Sequence, residues 1–302
     1  MFCALGSHQR NKNTMIHEMK LKKKIIINAD DFGLTESVNQ AIINIFKRSN
    51  LNSTTLMVNM PGTEHAVGLA KENPGLKVGL HFCITEGVAL TGASTLTDKS
   101  GNFISRSDLL IRILLRRVNS TDIQKEFLAQ LEKFESFGIS ISHIDSHQHL
   151  HMTPQVFNAI VPIVEKHGLP MRIVSPVFKH RLILHRPVKY FKQVVNSVIA
   201  KYLRGKFSGQ SNDCLISIFD LESLDGVSAE IYERLIGETG EAEVIELMVH
   251  PFLLGIDIRN MYSAAMKDKA LFLKTCEIEY SCLADQAVIN DPNYVVVGYR
   301  DV

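Results

Sequence analysis

The sequence predicts an α/β fold in which about seven parallel strands and their helices form an irregular (β/α) barrel. Short apolar segments rich in β-branched residues alternate with segments of helical spacing about seven times along the chain. Such apolar runs are typical of parallel strands that are buried on both faces. Polar residues recur at the carboxyl ends of these segments, as they do on the active-site face of a TIM-like barrel. We therefore expect one site at the carboxyl ends of the strands.

Seven segments have the length and composition of buried strands. They are Lys24–Asn28, Thr54–Asn59, Lys77–Phe82, Ile139–Ile144, Met171–Ser175, Val244–His250 and Tyr294–Tyr299. The segments between them carry apolar stripes at helical spacing, which predicts helices that pack on the sheet. The clearest stripe consists of Val38, Ile42, Ile45 and Phe46.

Composition limits the functions that the chain can have. The net charge of its 302 residues is +1, so no overall field favours nucleic acid. The five cysteines are scattered without a C-x-x-C pair, which fits a reducing compartment and predicts a cytoplasmic protein. Residues 1–23 are polar and basic and predict a flexible N-terminal tail, whereas residues 24–302 are expected to form a single domain.

One short stretch concentrates histidines and a carboxylate. His143, Asp145, His147, His149 and His151 alternate with other residues, so on an extended strand they would all point the same way. Burying such a row is costly without a metal ion or a hydrogen-bond network. Imidazole and carboxylate are usual ligands of a catalytic divalent metal. The alternative is a polar loop with several solvated histidines.

Other polar residues take equivalent positions at or near the ends of the remaining predicted strands. They are Asp30, Asp31, Asn59, His81, Arg172 and His250. In a (β/α) barrel these positions converge on one mouth, although they are far apart in sequence. Scattered surface polar residues would have no reason to recur at this one position, so the regularity favours a functional site.

The adjacent carboxylates Asp30 and Asp31 can divide two tasks. One can bind a metal ion while the other stays off it and serves as general base. Alternatively, the pair forms a turn in which one Asp caps the helix that begins near Thr35 or Glu36. Capping needs only one Asp, and Gly33 already supplies the turn, so we favour the functional interpretation.

Three further residues have both a functional and a structural interpretation. His81 is either a metal ligand or a hydrogen-bonded core residue; with one Asp and a second His it would leave coordination positions open, as catalysis requires. His250 is either a general acid or a buried structural histidine. Arg172 either orients a carboxylate or covers a barrel end, and the sequence favours neither.

Four motifs together resemble those of the YdjC/ChbG-like carbohydrate deacetylases. They are Asn28–Gly33, Gly79–Phe82, Asp145–His151 and Met248–Pro251, in the order and approximate spacing of that family. The resemblance implies an irregular barrel and metal-dependent removal of an acetyl group from an N-acetylated sugar. Phe252 departs from the family motif, in which a glycine often follows His-Pro, and this departure concerns the substrate more than the metal.

The resemblance also implies roles for individual residues. Asp31, His81 and His147 would bind one divalent metal ion, with magnesium or zinc expected first and manganese or cobalt also compatible. Asp30 would be the catalytic base, and His250 would act as acid or complete the site. The resemblance implies that His149 and His151, and more loosely Arg172, orient these groups; we expect Asp145 and Asn59 to orient them as well or to contact the substrate.

The leading hypothesis is a hydrolase that deacetylates an N-acetylhexosamine, either chito-oligosaccharide-like or linked to a lipid. A second hypothesis retains the metal but changes the bond to another amide or a phosphate ester. A third is a non-catalytic sugar-binding barrel with a retained metal. Asp30 argues against the third hypothesis, because binding alone needs no base.

Residues 179–206 form a basic segment. No acidic residue occurs between Lys166 and Asn212, and apolar residues recur at helical spacing. A barrel helix with its apolar side on the core is the favoured interpretation, and contact with an anionic membrane surface is the alternative. The resemblance to the family also suggests a homodimer. No feature of the sequence itself indicates the oligomeric state.

Overall fold

We describe residues 22–92, 94–177, 187–221, 227–228, 230–262, 269–284 and 287–302 in a computed structural model of the chain. The strands of this part are β1 (Lys23–Phe32), β2 (Ser53–Leu56), β3 (Lys77–Phe82), β4 (Ile141–Ser146), β5 (Cys214–Ile216), β6 (Val244–Val249) and β7 (Tyr294–Val296). Its helices are α1 (Glu36–Arg48), α2 (Thr63–Glu72), α3 (Arg106–Leu114), α4 (Ser120–Ser136), α5 (Pro154–Lys166), α6 (Pro187–Arg204), α7 (Glu230–Gly237), α8 (Ile256–Tyr262) and α9 (Ala270–Leu283).

The strands form one parallel sheet that curves into a ring. Their order is β4-β3-β2-β1-β6-β5, and β7 pairs with β1. Between β4 and β5, Met171 forms a bridge with Ile144 and Pro176 forms one with Leu215. The α/β fold with seven parallel strands is therefore confirmed, and the carboxyl ends of the strands face one side, as in a barrel.

One predicted strand is wrong and another was missed. Met171–Ser175 is not a strand, because the side chain of Asn212 takes the place of a neighbouring strand: Ile173 N–H donates to Asn212 Oδ1 at 2.8 Å, and Asn212 Nδ2 donates to Ile173 O at 3.1 Å. The missed strand, β5, is only three residues long, too short for an apolar pattern to indicate it.

The turn between β1 and α1 decides between the two interpretations of the Asp pair. Thr35, not an Asp, is the N-cap of α1, and its Oγ1 accepts a hydrogen bond from the backbone N–H of Val38 at 3.4 Å. Gly33 makes the turn with φ of +93°, and a Cβ at this position would lie 2.5 Å from the carbonyl oxygen of Met57. The capping alternative is therefore excluded, and both carboxylates remain available for chemistry.

The histidine-rich stretch is not one extended strand. β4 ends at Ser146, and residues His147–Met152 form a 3₁₀ helix interrupted at Gln148 and His149, which have φ of 54° and 57°. The expectation that five side chains share one face is therefore wrong beyond Asp145. The turn instead separates the three histidines that follow: His147 contacts Asp31, His151 contacts Ser146 and the carbonyl of Arg172, and His149 lines the cleft.

The predicted basic segment is described in part. Residues 178–186 lie outside the described residues, and the remainder forms α6 and the turn that follows it. Within the described part of the chain, we find no helix with the length and apolar character needed to cross a bilayer.

Candidate active site

Asp30 and Asp31 line one cleft although they are neighbours on a strand. In a regular strand, neighbouring side chains point to opposite faces. Asp31 has φ of 68°, in the left-handed region that non-glycine residues rarely adopt, and the register of β1 against β2 shifts between Ala29 and Phe32. This irregularity brings both carboxylates to the mouth of the ring. Backbone strain of this kind is characteristic of functional sites.

Asp31, His81 and His147 have the geometry of a metal site. The Oδ1 atom of Asp31 lies 3.3 Å from Nε2 of His81 and 2.9 Å from Nδ1 of His147. The three ligand atoms lie within 4.8 Å of one another, and all three residues are buried. The second carboxylate oxygen of Asp31 is buried without a hydrogen-bond partner among the described residues. This donor set fits a divalent cation, which would satisfy that oxygen.

Each of these two histidines has a carboxylate at its other ring nitrogen. His81 Nδ1 donates to Asp145 Oδ1 at 2.7 Å, and His147 Nε2 lies 3.4 Å from Glu86 Oε1. Carboxylates in this position orient metal-binding imidazoles and fix their tautomers. Asp145 was expected to have such a role, whereas Glu86 was missed, although it lies in the same stretch as His81, after Ile84-Thr85.

The charges of this cluster shift its pKa values strongly. Burial lowers the pKa of His81, but the carboxylates of Asp145, Asp31 and Asp30 together outweigh it, and the pKa rises to about 9. Burial likewise opposes protonation of His147, yet Asp31 raises its pKa well above the ordinary value. For Asp31, burial is outweighed by His147 and His81, so its pKa lies well below the usual range. A positive charge is therefore strongly favoured at this position, whether carried by protons or by a cation.

Arg172 is completely buried among three carboxylates. Its Nη1 and Nη2 donate to Oδ2 and Oδ1 of Asp30 at 2.7 Å each, and Nη1 lies 2.8 Å from Oδ2 of Asp145. Its Nε donates to both oxygens of Glu246, at 2.9 and 3.0 Å. Tyr299 donates a hydrogen bond to Glu246 in turn. Arg172 therefore orients the carboxylate of Asp30, and Glu246 and Tyr299, which the sequence did not indicate, hold Arg172.

This cluster keeps Asp30 ionised. Burial raises the pKa of the Asp30 carboxyl, but the charge and the hydrogen bonds of Arg172, together with His81, more than compensate, and the pKa lies below its ordinary value. Burial dominates at Glu246, whose pKa is raised in spite of Arg172. Asn28 Nδ2 donates to Asp30 Oδ1 at 2.8 Å and fixes the carboxylate from the other side. A carboxylate that is ionised and oriented in this way can accept a proton.

His250 lies across the cleft from Asp30. Its Nε2 is 3.9 Å from Asp30 Oδ2, and its ring packs edge-on against Phe219 and Phe272, with centroids 5.2 and 5.8 Å away. Burial is the main cause that lowers the pKa of His250, so the ring is neutral at neutral pH. The backbone N–H of His250 donates to Oε2 of the buried Glu279 at 2.6 Å, an anchor that the sequence did not indicate.

The remaining predicted residues lie around this centre. His151 is held away from the metal position, because Nδ1 lies 2.5 Å from Ser146 Oγ and Nε2 donates to the carbonyl of Arg172 at 3.1 Å. Asn59 Nδ2 donates to the carbonyl oxygen of Glu86 at 2.9 Å and so fixes the loop that carries this carboxylate. His149 belongs to the wall of the cleft.

The cleft has a volume of about 280 Å³. Asp30, Asp31, His81, Glu86, Arg106, His147, Gln148, His149, His250, Lys269 and Phe272 line it. A second cavity of about 730 Å³ adjoins it, and His149 belongs to the walls of both. Its other walls include Phe219, Met248 and side chains of α6.

Comparison with known proteins agrees with the motifs at this site. The family model described as YdjC-like protein matches residues 24–292. The chain belongs to the YdjC-like family. The four motifs noted in the sequence thus lie, in this YdjC-like chain, around a single mouth.

Two curated relatives are similar over most of their length. A carbohydrate deacetylase of Geobacillus stearothermophilus is 43% identical over 235 residues, which are 78% of this chain and 82% of the relative. One from Clostridium beijerinckii is 30% identical over 283 residues, covering 92% of this chain and 100% of the relative. A crystal structure from Enterococcus faecalis, of a protein proposed to act in cellobiose-phosphate cleavage, superposes with a TM-score of 0.71. It covers 93% of this chain and 98% of its own at 22% identity, so it supports the YdjC-like fold alone.

Proposed function

We propose that this protein is a metal-dependent carbohydrate deacetylase that removes the acetyl group from an N-acetylhexosamine. The proposal rests on two neighbouring carboxylates that have different partners. Asp31 contacts two histidines, and Asp30 contacts Arg172. The curated relatives of the family are named carbohydrate deacetylases, which supports the choice of bond.

Asp31, His81 and His147 would hold the metal ion. A divalent ion there would supply a Lewis acid for the acetyl carbonyl and lower the pKa of a coordinated water. Asp145 and Glu86 keep the imidazoles of His81 and His147 aimed at the ion. Magnesium or zinc is expected first, manganese and cobalt are also compatible with this ligand set, and reloading the metal-free protein with each ion identifies the metal.

Asp30 and His250 would move the protons. Asp30 takes a proton from the attacking water, since Arg172 and Asn28 hold its carboxylate ionised and oriented. His250 is neutral before the reaction, and its Nε2 lies 3.9 Å from Asp30 Oδ2. A proton accepted on Asp30 can therefore reach His250 and then the leaving nitrogen of the sugar as the C–N bond breaks.

The two adjoining cavities support a substrate larger than one sugar. The cleft of about 280 Å³ contains the chemistry, and the cavity of about 730 Å³ beyond His149 offers room for the remainder of the molecule. Val174, Leu215, Phe219 and Met248 give this cavity an apolar side, and Gln193, Asn196 and Ser217 give it hydrogen-bonding groups. A chito-oligosaccharide or a lipid-linked N-acetylhexosamine would fit this combination.

Acetate release tests the proposal. Protein stripped of metal and reloaded with zinc, magnesium, manganese or cobalt is offered N-acetylglucosamine oligomers and conjugates. We expect acetate only with metal, and none above background from Asp30→Asn or His147→Ala. Asp30→Asn should still bind the metal, because Asp30 is not among the expected ligands; His147→Ala should not.

The same variants distinguish a deacetylase from a sugar-binding barrel and from a hydrolase of another bond. A sugar-binding barrel would give no acetate from any protein, and Asp30→Asn would keep the affinity for the sugar. A hydrolase of another amide or of a phosphate ester would give no acetate but would cleave that substrate only with metal and with Asp30 intact. Either result would overturn the deacetylase proposal while retaining the metal site.

A further inference from the structure

Helix α6 presents an apolar stripe to solvent. One side of the helix, which includes Gln193, Ala200 and Leu203, is buried, as expected for a barrel helix that packs on the core. Among the described side chains, the opposite side exposes four large apolar residues, which are Phe191, Val195, Val198 and Tyr202. At about 100° per residue these four lie within one narrow stripe. Phe191 is 68% exposed and Val198 64%, so the described part of the barrel does not cover the stripe.

Cations border this stripe on both sides. At the same helical spacing, Lys192 and Lys201 lie roughly a quarter turn to either side of it, and both are exposed. Lys206 follows the helix, with its Nζ 4.7 Å from the ring centroid of Tyr202. No acidic residue occurs in the sequence from Lys166 to Asn212, whereas the whole chain has a net charge of only +1.

We propose that the exposed face of α6 docks on an anionic lipid surface. Helices that lie in the interface of a bilayer have an apolar stripe that enters the acyl boundary and lysines beside it that reach the headgroups. The apolar stripe supplies the first feature, and Lys192 and Lys201 supply the second. Clustered lysines attract anionic lipids, each contributing about a fivefold gain in affinity near the surface.

A second copy of the chain fits this face less well. Interface cores between proteins are depleted in lysine. Pairing α6 with α6 of another copy would place Lys192 and Lys201 beside like charges, without any acidic residue on the helix to neutralise them. An anionic lipid surface supplies the missing negative charge.

The docked helix would also adjoin the proposed substrate site. Lys192, Gln193 and Asn196 of α6 belong to the wall of the cavity of about 730 Å³, which shares His149 with the metal cleft. The docking surface and part of the cavity wall therefore belong to the same helix. If the proposed deacetylase function holds, an acetylated sugar on a lipid would reach the cavity from the same surface.

Vesicle co-sedimentation tests the proposal without metal or substrate, so its outcome is independent of the deacetylase assay. The full chain is mixed with phosphatidylcholine vesicles, with or without phosphatidylglycerol. We expect binding only to the anionic vesicles, weakened by salt. The double variant Phe191→Asp/Val198→Asp should lose at least about tenfold in affinity, and Lys192→Gln/Lys201→Gln about 25-fold, which is about fivefold for each lysine.

Ile256→Asp is the matched control, because Ile256 is 78% exposed and lies on α8 rather than α6. It should bind vesicles like the unmodified chain. All three variants alter exposed positions, and their circular dichroism spectra should match that of the unmodified chain. No binding to anionic vesicles at low salt, or equal loss in the control, would overturn the proposal. Sedimentation velocity that shows a dimer converted to a monomer by Phe191→Asp/Val198→Asp, without vesicle binding, would assign the face to a second copy.

Discussion

The guanidinium of Arg172 donates to both carboxylate oxygens of Asp30, with nitrogen–oxygen distances of 2.7 Å. The same group also contacts Asp145 and Glu246, so a single guanidinium holds three buried carboxyl groups in place. Two parallel N–H···O bonds fix the plane of the Asp30 carboxylate as well as its charge, which a single ammonium group cannot do. The orientation of the proposed base thus depends on an arginine from the segment between β4 and β5.

Two substitutions of Arg172 should distinguish the effect of its positive charge from its orientation of the Asp30 carboxylate. Arg172→Met leaves buried carboxylates without their cation and should lower the free energy of unfolding by roughly 3–5 kcal/mol. Arg172→Lys retains the charge but not the planar fork, so it should be the more stable of the two while kcat still falls strongly. Urea unfolding and steady-state kinetics measure the two effects. A wild-type kcat in Arg172→Lys would contradict the orienting role.

Glu86 should influence metal affinity without being a ligand. Its Oε1 lies 3.4 Å from Nε2 of His147, on the side of the ring away from Asp31. Removing such a carboxylate typically weakens metal binding about 10–100-fold. We expect this loss in Glu86→Ala and a smaller one in Glu86→Gln, which keeps an acceptor oxygen. Competition with a chromophoric chelator measures the affinity.

The control for this prediction is Glu64→Gln, which removes a carboxylate from the exposed first turn of α2. Its metal affinity should be that of the unmodified chain. His147→Ala provides the opposite reference and should abolish tight binding. If Glu86→Ala matched Glu64→Gln, the carboxylate at Glu86 would have no part in orienting His147.

Metal loading should release protons at neutral pH. The pKa of His81 is about 9 in the metal-free protein, and that of His147 is raised as well, so both rings are protonated at pH 7. An imidazole must be neutral to bind a metal, so the ion displaces these protons and its affinity should increase as the pH rises towards 9. Calorimetry in two buffers with different ionisation enthalpies measures the protons released. A heat independent of the buffer would contradict the raised pKa values.

The convergence of the strand-end residues on one site could be predicted from the sequence, because parallel strands bring their carboxyl ends together. Asp31, His81 and His147 come from different strand ends and do meet within 4.8 Å. This convergence needs only the order of strands and loops, not their register. Predictions that depended on a local conformation were less successful: the left-handed φ at Gln148 and His149 redirects the histidine stretch.

The partners of the site residues could not be predicted. Glu246 lies within β6, inside an apolar run, and nothing in its neighbourhood in the sequence indicates that Arg172 and Tyr299 would surround it. Such pairings depend on the register between elements more than 50 residues apart, which periodicity does not encode. Among the described residues, Glu279 contacts the site through the backbone N–H of His250, which every residue type except proline would supply, so the sequence does not indicate this contact.

Glu279 should make stability dependent on pH. Burial raises the pKa of its carboxyl from 4.5 to about 8, so the folded protein holds a proton there that the unfolded chain releases. The resulting contribution to the free energy of unfolding is fully present below pH 4.5 and is lost as the pH rises through 8. Glu279→Gln has no carboxyl to ionise. Relative to this variant, the unmodified chain should lose a few kcal/mol between pH 5 and pH 9, since each pKa unit corresponds to about 1.4 kcal/mol. Urea unfolding of both proteins across this range measures the difference, and parallel profiles would show that Glu279 is ionised in the folded state.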